Sequence, residues 1–263
     1  MSKSEETQDG PELDLGGARH RVVIVGATSA IAQTWARTLD LHKTKFLLIA
    51  RSEEKVKTVA SDLIARGALS ADIMVVDVRS RDAHAEMVNV ASNVLISPTI
   101  VMIAHGTLPD QELLNTDVDA TLDSFLTNAV SVISIAQRFA LHMVAHGGGS
   151  IVVLSSVAGE RARKTIYAYG AAKSAISMFG AGLGAHWADK GLHVLVVKPG
   201  PVATPMIAHR PKSFITTSTS HVAKRINAAL KSKSSVIYVP WFWRYIMGML
   251  RYVPEKMFRK IKI

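Results

Sequence analysis

The chain predicts an α/β fold, a doubly wound parallel sheet with helices on both faces, and three observations carry that expectation. Short, β-branched apolar runs recur along the sequence, amphipathic segments separate them, and glycine-bearing turns follow several of the runs directly. Alternation of this kind is the pattern of repeated βαβ units.

The elements follow in order. Residues 1–19, MSKSEETQDGPELDLGGAR, are polar and acidic with no apolar h-region, which predicts a disordered tail rather than a signal peptide or membrane anchor. RVVIVG (21–26) reads as the first strand and runs into the turn and helix of ATSAIAQTWA. KFLLIA (45–50) is the second strand, followed by the amphipathic SEEKVKTVASDLIARG. DIMVVDV (72–78) and TIVMIAHG (99–106) are the third and fourth, and SFLTNAVSVISIAQRFALHMVAHG is helical in period. SIVVLSS (150–156) leads to the helix YGAAKSAISMFGAGL, HVLVVKPG (193–200) is the sixth strand, and SSVIYVP would close the sheet edge. Residues 20–240 thus make one domain, and 241–263 a basic amphipathic segment.

Composition bounds the function. With 263 residues, 48% of them hydrophobic, the chain buries a full core in one domain. The absence of cysteine excludes disulfides, thiolate metal sites and cysteine nucleophiles, and allows a reducing cytoplasm. The ten histidines show no metal-ligand spacing; His142, His146 and His186 read as core or surface, whereas His105 and His209 fall near the candidate site. The most apolar stretch, near residue 241, is broken by Arg244, Arg251 and Pro254, so a membrane span is not expected.

The chemistry is carried by Ser156, Tyr169 and Lys173, with thirteen positions from serine to tyrosine and four from tyrosine to lysine. Four residues is about one helical turn, so phenol and ammonium would emerge on one helix face. An adjacent ammonium would lower the phenol pKa, and the serine would hydrogen-bond a substrate oxygen. A tyrosine and lysine at this spacing also occur as a solvated pair. The turn GATSAIA after the first strand supplies the second half of the argument, because a dinucleotide site belongs there.

These residues resemble the short-chain dehydrogenase/reductase family, over nearly the whole chain after the tail, and the resemblance implies a Rossmann-type fold. Gly26, Ala27, Thr28, Ser29, Ala30, Ile31 and Ala32 stand in place of the glycine-rich phosphate turn, keeping its first glycine and replacing the other two by alanine. Asp77 and Val78 match the adenine-holding position at the end of the third strand. Ile103, Ala104, His105 and Gly106 replace Asn-Asn-Ala-Gly, and His105 becomes either a cleft-lining or a structural imidazole. Asn128 matches the helix asparagine that positions the lysine through water. Pro199, Gly200, Val202 and Thr204 match the segment that holds the nicotinamide amide. Asn128, Ser156, Tyr169 and Lys173 thereby form the implied catalytic set, and Tyr169 and Lys173 also count among the cofactor contacts. At the end of the second strand Ala50 is followed by Arg51 and Ser52 with no carboxylate, which favours NADPH over NADH.

Charge distribution bears on the substrate. From Pro205 to Ile263 there are twelve Lys or Arg against the single acid Glu255, so the excess of the chain, +10, is C-terminal. His209, Arg210 and Lys212, with Arg161, Arg163 and Lys164, would form a basic rim suited to a phosphate. In WFWRYIMGMLRYVPEKMFRKIKI, Phe242, Tyr245, Ile246, Met249, Leu250 and Val253 would share one helical face, which would lie on anionic lipid, close the active site or pack on another subunit. Nucleic acid is not expected as a partner. SSVAGERARK with YGAAK, and the C-terminal segment, look like the bacterial decaprenylphosphoryl-2-keto-ribose 2-reductase group. That likeness implies a 2-keto sugar on a polyprenyl phosphate, a flavin oxidase as partner in cell-wall polysaccharide synthesis, and peripheral placement on the cytoplasmic face of the membrane. The alternatives are a soluble NADPH reductase of small ketones or acyl thioesters, and a noncatalytic NADP-binding scaffold. FGAGLGAHW, rich in small residues, would allow a homodimer or homotetramer.

Overall fold

The computed structural model describes residues 19–208 and 215–258. The expected acidic tail and the residues His209, Arg210 and Lys212 therefore lie outside the described residues, apart from Arg19. Among the described residues the strands are β1 (His20–Val25), β2 (Thr44–Ala50), β3 (Ser70–Val75), β4 (Ile100–Ile103), β5 (Gly149–Leu154), β6 (Leu192–Pro199) and β7 (Val236–Val239). They form one sheet in the order β3-β2-β1-β4-β5-β6-β7, every pair parallel. SSVIYVP does close the edge, through β7 beside β6. The helices are α1 (Ala30–Ala36), α2 (Glu53–Ala65), α3 (Ala83–Leu95), α4 (Gln111–Thr116), α5 (Val118–Phe125), α6 (Ser131–Ala145), α7 (Tyr167–Trp187), α8 (Thr219–Lys231), α9 (Trp243–Tyr252) and α10 (Glu255–Phe258).

Two cores explain the uninterrupted apolar strands. Side chains alternate across a strand, and Val22 and Ile24 of β1 enter one core with α1, α2 and α8, while Val23 and Val25 enter the other with α3, α6 and α7. All four valine and isoleucine side chains are buried, each worth about 1.5–3 kcal/mol on transfer from water. An ionised residue at any of them would break the sheet from its centre.

Strand order positions the site. β1 lies between β2 and β4, so the direction of winding reverses there and a crevice opens beyond the carboxyl ends of β1 and β4. Gly26, just past β1, has φ +85°, and a Cβ on it would stand 2.4 Å from the backbone nitrogen of His105, just past β4. Only glycine permits both the turn and the contact.

Two segments differ from expectation. The third strand stops at Val75, so Asp77 and Val78 stand in the loop beyond it, where the Arg79 guanidinium and backbone N–H bind the Asp77 carboxylate. The C-terminal helix does not have one apolar face. Trp243 and Met247 are buried against Val157, with Ile246 and Leu250 packed beside them, whereas Tyr245 and Met249 point outward with Trp241 and Tyr252. The aromatic period is continuous around α9, so sequence spacing merged two faces into one. No helix among the described residues is long and apolar enough to cross a membrane.

Candidate active site

A cleft of about 970 Å³ runs across the carboxyl ends of the strands, and its lining follows their order. Val76 to Arg79 come after β3, Ala50 and Arg51 from β2, Gly26, Thr28, Ser29, Ala30 and Ile31 after β1, Ala104 to Pro109 after β4, Leu154 to Ala158 from β5, and Pro199 to Val202 with Thr204 after β6. Tyr169 and Lys173 enter from α7. Ser52 does not line it. Its hydroxyl accepts from the Lys55 N–H at the first turn of α2, so the helix cap takes the group expected to reach a ligand.

Helix α7 is fastened to β5 where Lys173 needs to be. The Ser155 hydroxyl donates to the Lys173 carbonyl at 2.9 Å, and Lys173 Nζ donates to the Leu154 carbonyl at 2.8 Å. Gln111 caps the helix start, its Oε1 accepting from the Ala168 N–H. The Tyr169 phenol is hydrogen-bonded to Ser156, whose Oγ also accepts from the Ala158 N–H. Lys173 Nζ lies 5.6 Å from the centroid of the Tyr169 ring.

The electrostatics differ from the sequence-based expectation that Lys173 lowers the phenol pKa. Burial pushes Tyr169 up to about 12, against the hydrogen bond to Ser156 and the positive charge of Arg163, which both lower it. The counteracting cation is Arg163. Burial also pulls the Lys173 ammonium down to about 8.

Asn128 sits outside the cleft wall but holds it. It is fully buried in a five-residue π-helical stretch, Leu126–Val130, between α5 and α6. Its Oδ1 accepts from the Thr107 N–H at 2.9 Å and its Nδ2 donates to the Ser124 carbonyl at 3.0 Å, which fixes the loop after β4. The wider turn aims the amide at that loop, a common use of π-bulges at functional sites.

His105 is both structural and cleft-lining. The Ser131 hydroxyl donates to the Thr127 carbonyl at 2.8 Å, so its oxygen accepts from His105 Nε2–H at 2.9 Å, and Nδ1 is left as a buried acceptor. Burial, then the charges of Lys173 and His84, bring its pKa down to about 3.

The basic rim is redistributed. Arg163 lines the cleft, but Arg161 is turned away, donating to the carbonyls of Arg251 and Val253, pairing with Glu255 and stacking on Phe258. Lys164 is exposed outside the lining. Residues that sequence reasoning missed are Arg79, Thr107, Glu160 and Trp243. Arg79 and Thr107 fall in loops without a motif, and Trp243 was hidden among other aromatics. No three His, Asp or Glu among the described residues cluster as a metal site.

A parallel, doubly wound sheet with a dinucleotide-sized cleft at its switch point and a serine, tyrosine and lysine converging at one end defines a nucleotide-dependent oxidoreductase class. The comparisons give the family. The short chain dehydrogenase family model matches residues 20–213. An uncharacterized oxidoreductase of Mycobacterium tuberculosis is 31% identical over 250 residues, covering 94% of this chain and 98% of its own. Gluconate 5-dehydrogenase of Gluconobacter oxydans is 31% identical over 201 residues, 74% of this chain and 76% of its own. A Burkholderia cenocepacia short chain dehydrogenase, solved in complex with NADP, superposes with TM-score 0.77 at 18% identity over 94% of this chain and 98% of its own. The chain belongs to the short-chain dehydrogenase/reductase family and is an oxidoreductase.

Proposed function

We propose that the protein reduces a ketone to a secondary alcohol and prefers NADPH as the reductant. The observation that carries this reading is the meeting of Ser156, Tyr169 and Lys173 at the end of a cleft whose other end holds Arg51. The cleft fits a dinucleotide: Gly26 leaves no room for a Cβ beside His105, and Thr28, Ser29, Ala30 and Ile31 line it at the start of α1, where a helix N-terminus suits a phosphate. Arg51 would hold a 2′-phosphate, Asp77 and Val78 the adenine end, Ala104 and Gly106 the middle, and Pro199, Gly200, Val202 and Thr204 the amide of the nicotinamide. The cofactor, when bound, supplies the hydride.

The remaining steps belong to side chains. Ser156 donates a hydrogen bond to the carbonyl oxygen, and Tyr169 gives that oxygen its proton as the C–O bond becomes single. A phenol at about 12 keeps its proton at neutral pH and is still a stronger acid than an alcohol, which is about as weak an acid as water. Arg163 and the hydrogen bond from Ser156 favour the phenolate left behind, and Asn128 keeps the Thr107 loop in register beside them.

For the substrate we propose a 2-keto sugar on a polyprenyl phosphate, formed by a flavin oxidase, with the protein peripheral on the cytoplasmic face of the membrane. Three observations support it: Arg163 within the cleft, apolar lining from Leu108, Ile166, Met206 and Ile215, and exposed Trp241, Tyr245, Met249 and Tyr252 on the basic C-terminal segment. The name of the gluconate 5-dehydrogenase relative, which refers to a polyhydroxylated substrate, is consistent with it. Exposed Leu122, Phe125, Leu141 and Met178 on the packed helices α5 to α7 support a homodimer or homotetramer.

The test is NADPH consumption with a polyprenylphosphoryl 2-keto-pentose generated in the same tube by a flavin oxidase, with NADH in parallel. Turnover with NADPH should fall at least 100-fold in Tyr169→Phe while NADPH binding persists. Turnover on small soluble ketones alone would overturn the lipid-linked substrate, and retained turnover in Tyr169→Phe would remove the phenol from the mechanism.

A further inference from the structure

Glu160 stands four residues after Ser156, at the far end of a single 3-10 turn (Val157–Gly159) that the Ser156 Oγ caps by accepting from the Ala158 N–H. Two backbone bonds close the turn: the Gly159 N–H donates to the Ser156 carbonyl at 3.2 Å, and the Glu160 N–H to the Val157 carbonyl at 3.1 Å. Its inner side rests on α7, where a Cβ on Gly159 would stand 2.6 Å from the Ser174 nitrogen and 2.7 Å from the Lys173 carbonyl carbon. Serine hydroxyl and Glu160 carboxylate are thus the two ends of one hydrogen-bonded link.

The carboxylate gathers three segments around the reacting end of the cleft. Its Oε1 accepts from Lys198 Nζ at 2.5 Å and its Oε2 pairs with the Arg251 guanidinium. The Glu160 side chain is 2% exposed and that of Lys198 11%. Lys198 directly precedes Pro199 and Gly200 of the cleft wall, and its Nζ lies 5.4 Å from the ring centroid of Tyr238 on β7. Arg251 belongs to α9, whose Trp243 and Met247 pack on Val157 within the serine turn. Taking these charges out of water is costly, and apolar side chains would stabilise such a junction as well or better. What the ion pairs add is direction, because each oxygen meets a donor fixed on a different element.

We propose that Glu160 is a positioning residue that acts through Ser156: its buried carboxylate, held by Lys198 and Arg251, seats the turn that keeps the serine hydroxyl against the Tyr169 phenol and aimed at the substrate carbonyl. The kinetic consequence rests on the carbonyl-reductase reading, whereas the geometric one does not. Glu160 is absent from the cleft lining and reaches the chemistry only through the serine. A donor displaced by about 1 Å costs up to about 100-fold in rate, with little effect on a cofactor it does not hold.

Glu160→Gln tests this, because the amide keeps the shape of the side chain but sets an NH2 donor against one of the two cations. The first readout needs no turnover. The chain has five tyrosines, and the Tyr169 13Cζ resonance of the cofactor-free protein is assigned by its loss in Tyr169→Phe. Ser156→Ala removes the hydrogen bond to the phenol and gives the reference shift. Glu160→Gln should move the resonance in the same direction, and Glu160→Gln/Ser156→Ala should coincide with Ser156→Ala alone. A resonance unmoved by Glu160→Gln overturns the proposal, as does an equal displacement in both serine backgrounds. If Glu160→Gln does not fold, Glu160→Gln/Lys198→Met removes the buried pair together and carries the same expectation.

In turnover of erythrulose or cyclohexanone with NADPH, Glu160→Gln should lower kcat about tenfold and leave KM for NADPH in place. In the Ser156→Ala background the same substitution should change kcat less than about twofold, a non-additivity that a general loss of stability does not produce. An equal factor in both backgrounds overturns the proposal. Absence of NADPH oxidation by the wild type with any ketone defeats the carbonyl-reductase reading instead, and the Tyr169 resonance still decides whether Glu160 acts through Ser156.

Discussion

Glu160 and Arg251, ninety-one positions apart, form an ion pair that fastens the C-terminal helix α9 to the loop after Ser156. The Glu160 side chain is 2% exposed and also pairs with Lys198. Burial pushes its carboxyl up, but the hydrogen bond and charge of Lys198 and the charge and hydrogen bond of Arg251 outweigh burial and hold it below the ordinary carboxylate range. Glu160→Gln leaves the nearly buried Lys198 without its counter-charge and should cost about 2–3 kcal/mol, lowering Tm by roughly 5 °C. A carboxyl with a depressed folded pKa stabilises above its unfolded pKa and loses that contribution as pH falls through the folded one. Thermal melts at pH 7 and below pH 4 check this, because the gap between wild type and Glu160→Gln should be present at pH 7 and close in acid.

Lys173 gives a linkage of the opposite kind. Its ammonium is 4% exposed and its pKa is about 8, below the unfolded value of 10.5. Between those values the unfolded chain binds the extra proton, so stability rises with pH there. Denaturant unfolding of the cofactor-free protein should show a gain approaching about 3 kcal/mol from pH 8 to pH 10 that Lys173→Met lacks. Tyr169 acts the other way but only above its unfolded value of 10, so it does not mask the window. Parallel pH profiles for the two proteins would show that burial does not depress the Lys173 pKa.

The fold was largely legible because both cores draw on central strands such as β1 and β2, whose apolar residues are buried on both faces, which leaves a continuous apolar run in the sequence. Val22 to Val25 is such a run, and the positions of Gly26, Ser156 and Pro199 follow once the strands are placed. Spacing likewise put Tyr169 and Lys173 on one side of α7. What spacing does not encode is long-range burial. It does not show that Arg163 rather than Lys173 opposes the rise of the Tyr169 pKa, or that Arg161 turns from the cleft to the end of α9. Trp243 and Tyr245 look alike in an amphipathic helix, and only docking on Val157 and Gly200 separates the one in the cleft from the one on the surface.

His105 should remain neutral in all conditions under which the protein is folded. With a folded value near 3 against 6.5 unfolded, the unfolded chain takes up a proton that the native chain refuses, and stability falls as pH drops through that window. The contribution amounts to at most about 4–5 kcal/mol. His105→Asn removes it, so its acid-unfolding midpoint should lie at lower pH relative to its stability at pH 7. A 1H–15N spectrum of the wild type at pH 5 showing the His105 ring doubly protonated would contradict both the tautomer and the burial described above.

Arg51 and Ser52 are neighbours with separable duties. Arg51 is exposed at the mouth of the cleft, and among the described residues no carboxylate lies within ion-pairing distance of it, whereas Arg79 across the same opening is already bound to Asp77. Its planar fork is thus the group we propose for a 2′-phosphate. Arg51→Ala should weaken NADPH about 10- to 100-fold, leave NADH unchanged, and flatten the salt dependence of NADPH binding. Ser52→Ala should cost about 1 kcal/mol of stability through the lost cap of α2, with both cofactor affinities intact. Calorimetric titration of the two variants with each cofactor separates these effects. If Arg51→Ala weakens NADPH and NADH alike, the arginine serves the shared part of the dinucleotide, and Arg79 becomes the candidate for the 2′-phosphate.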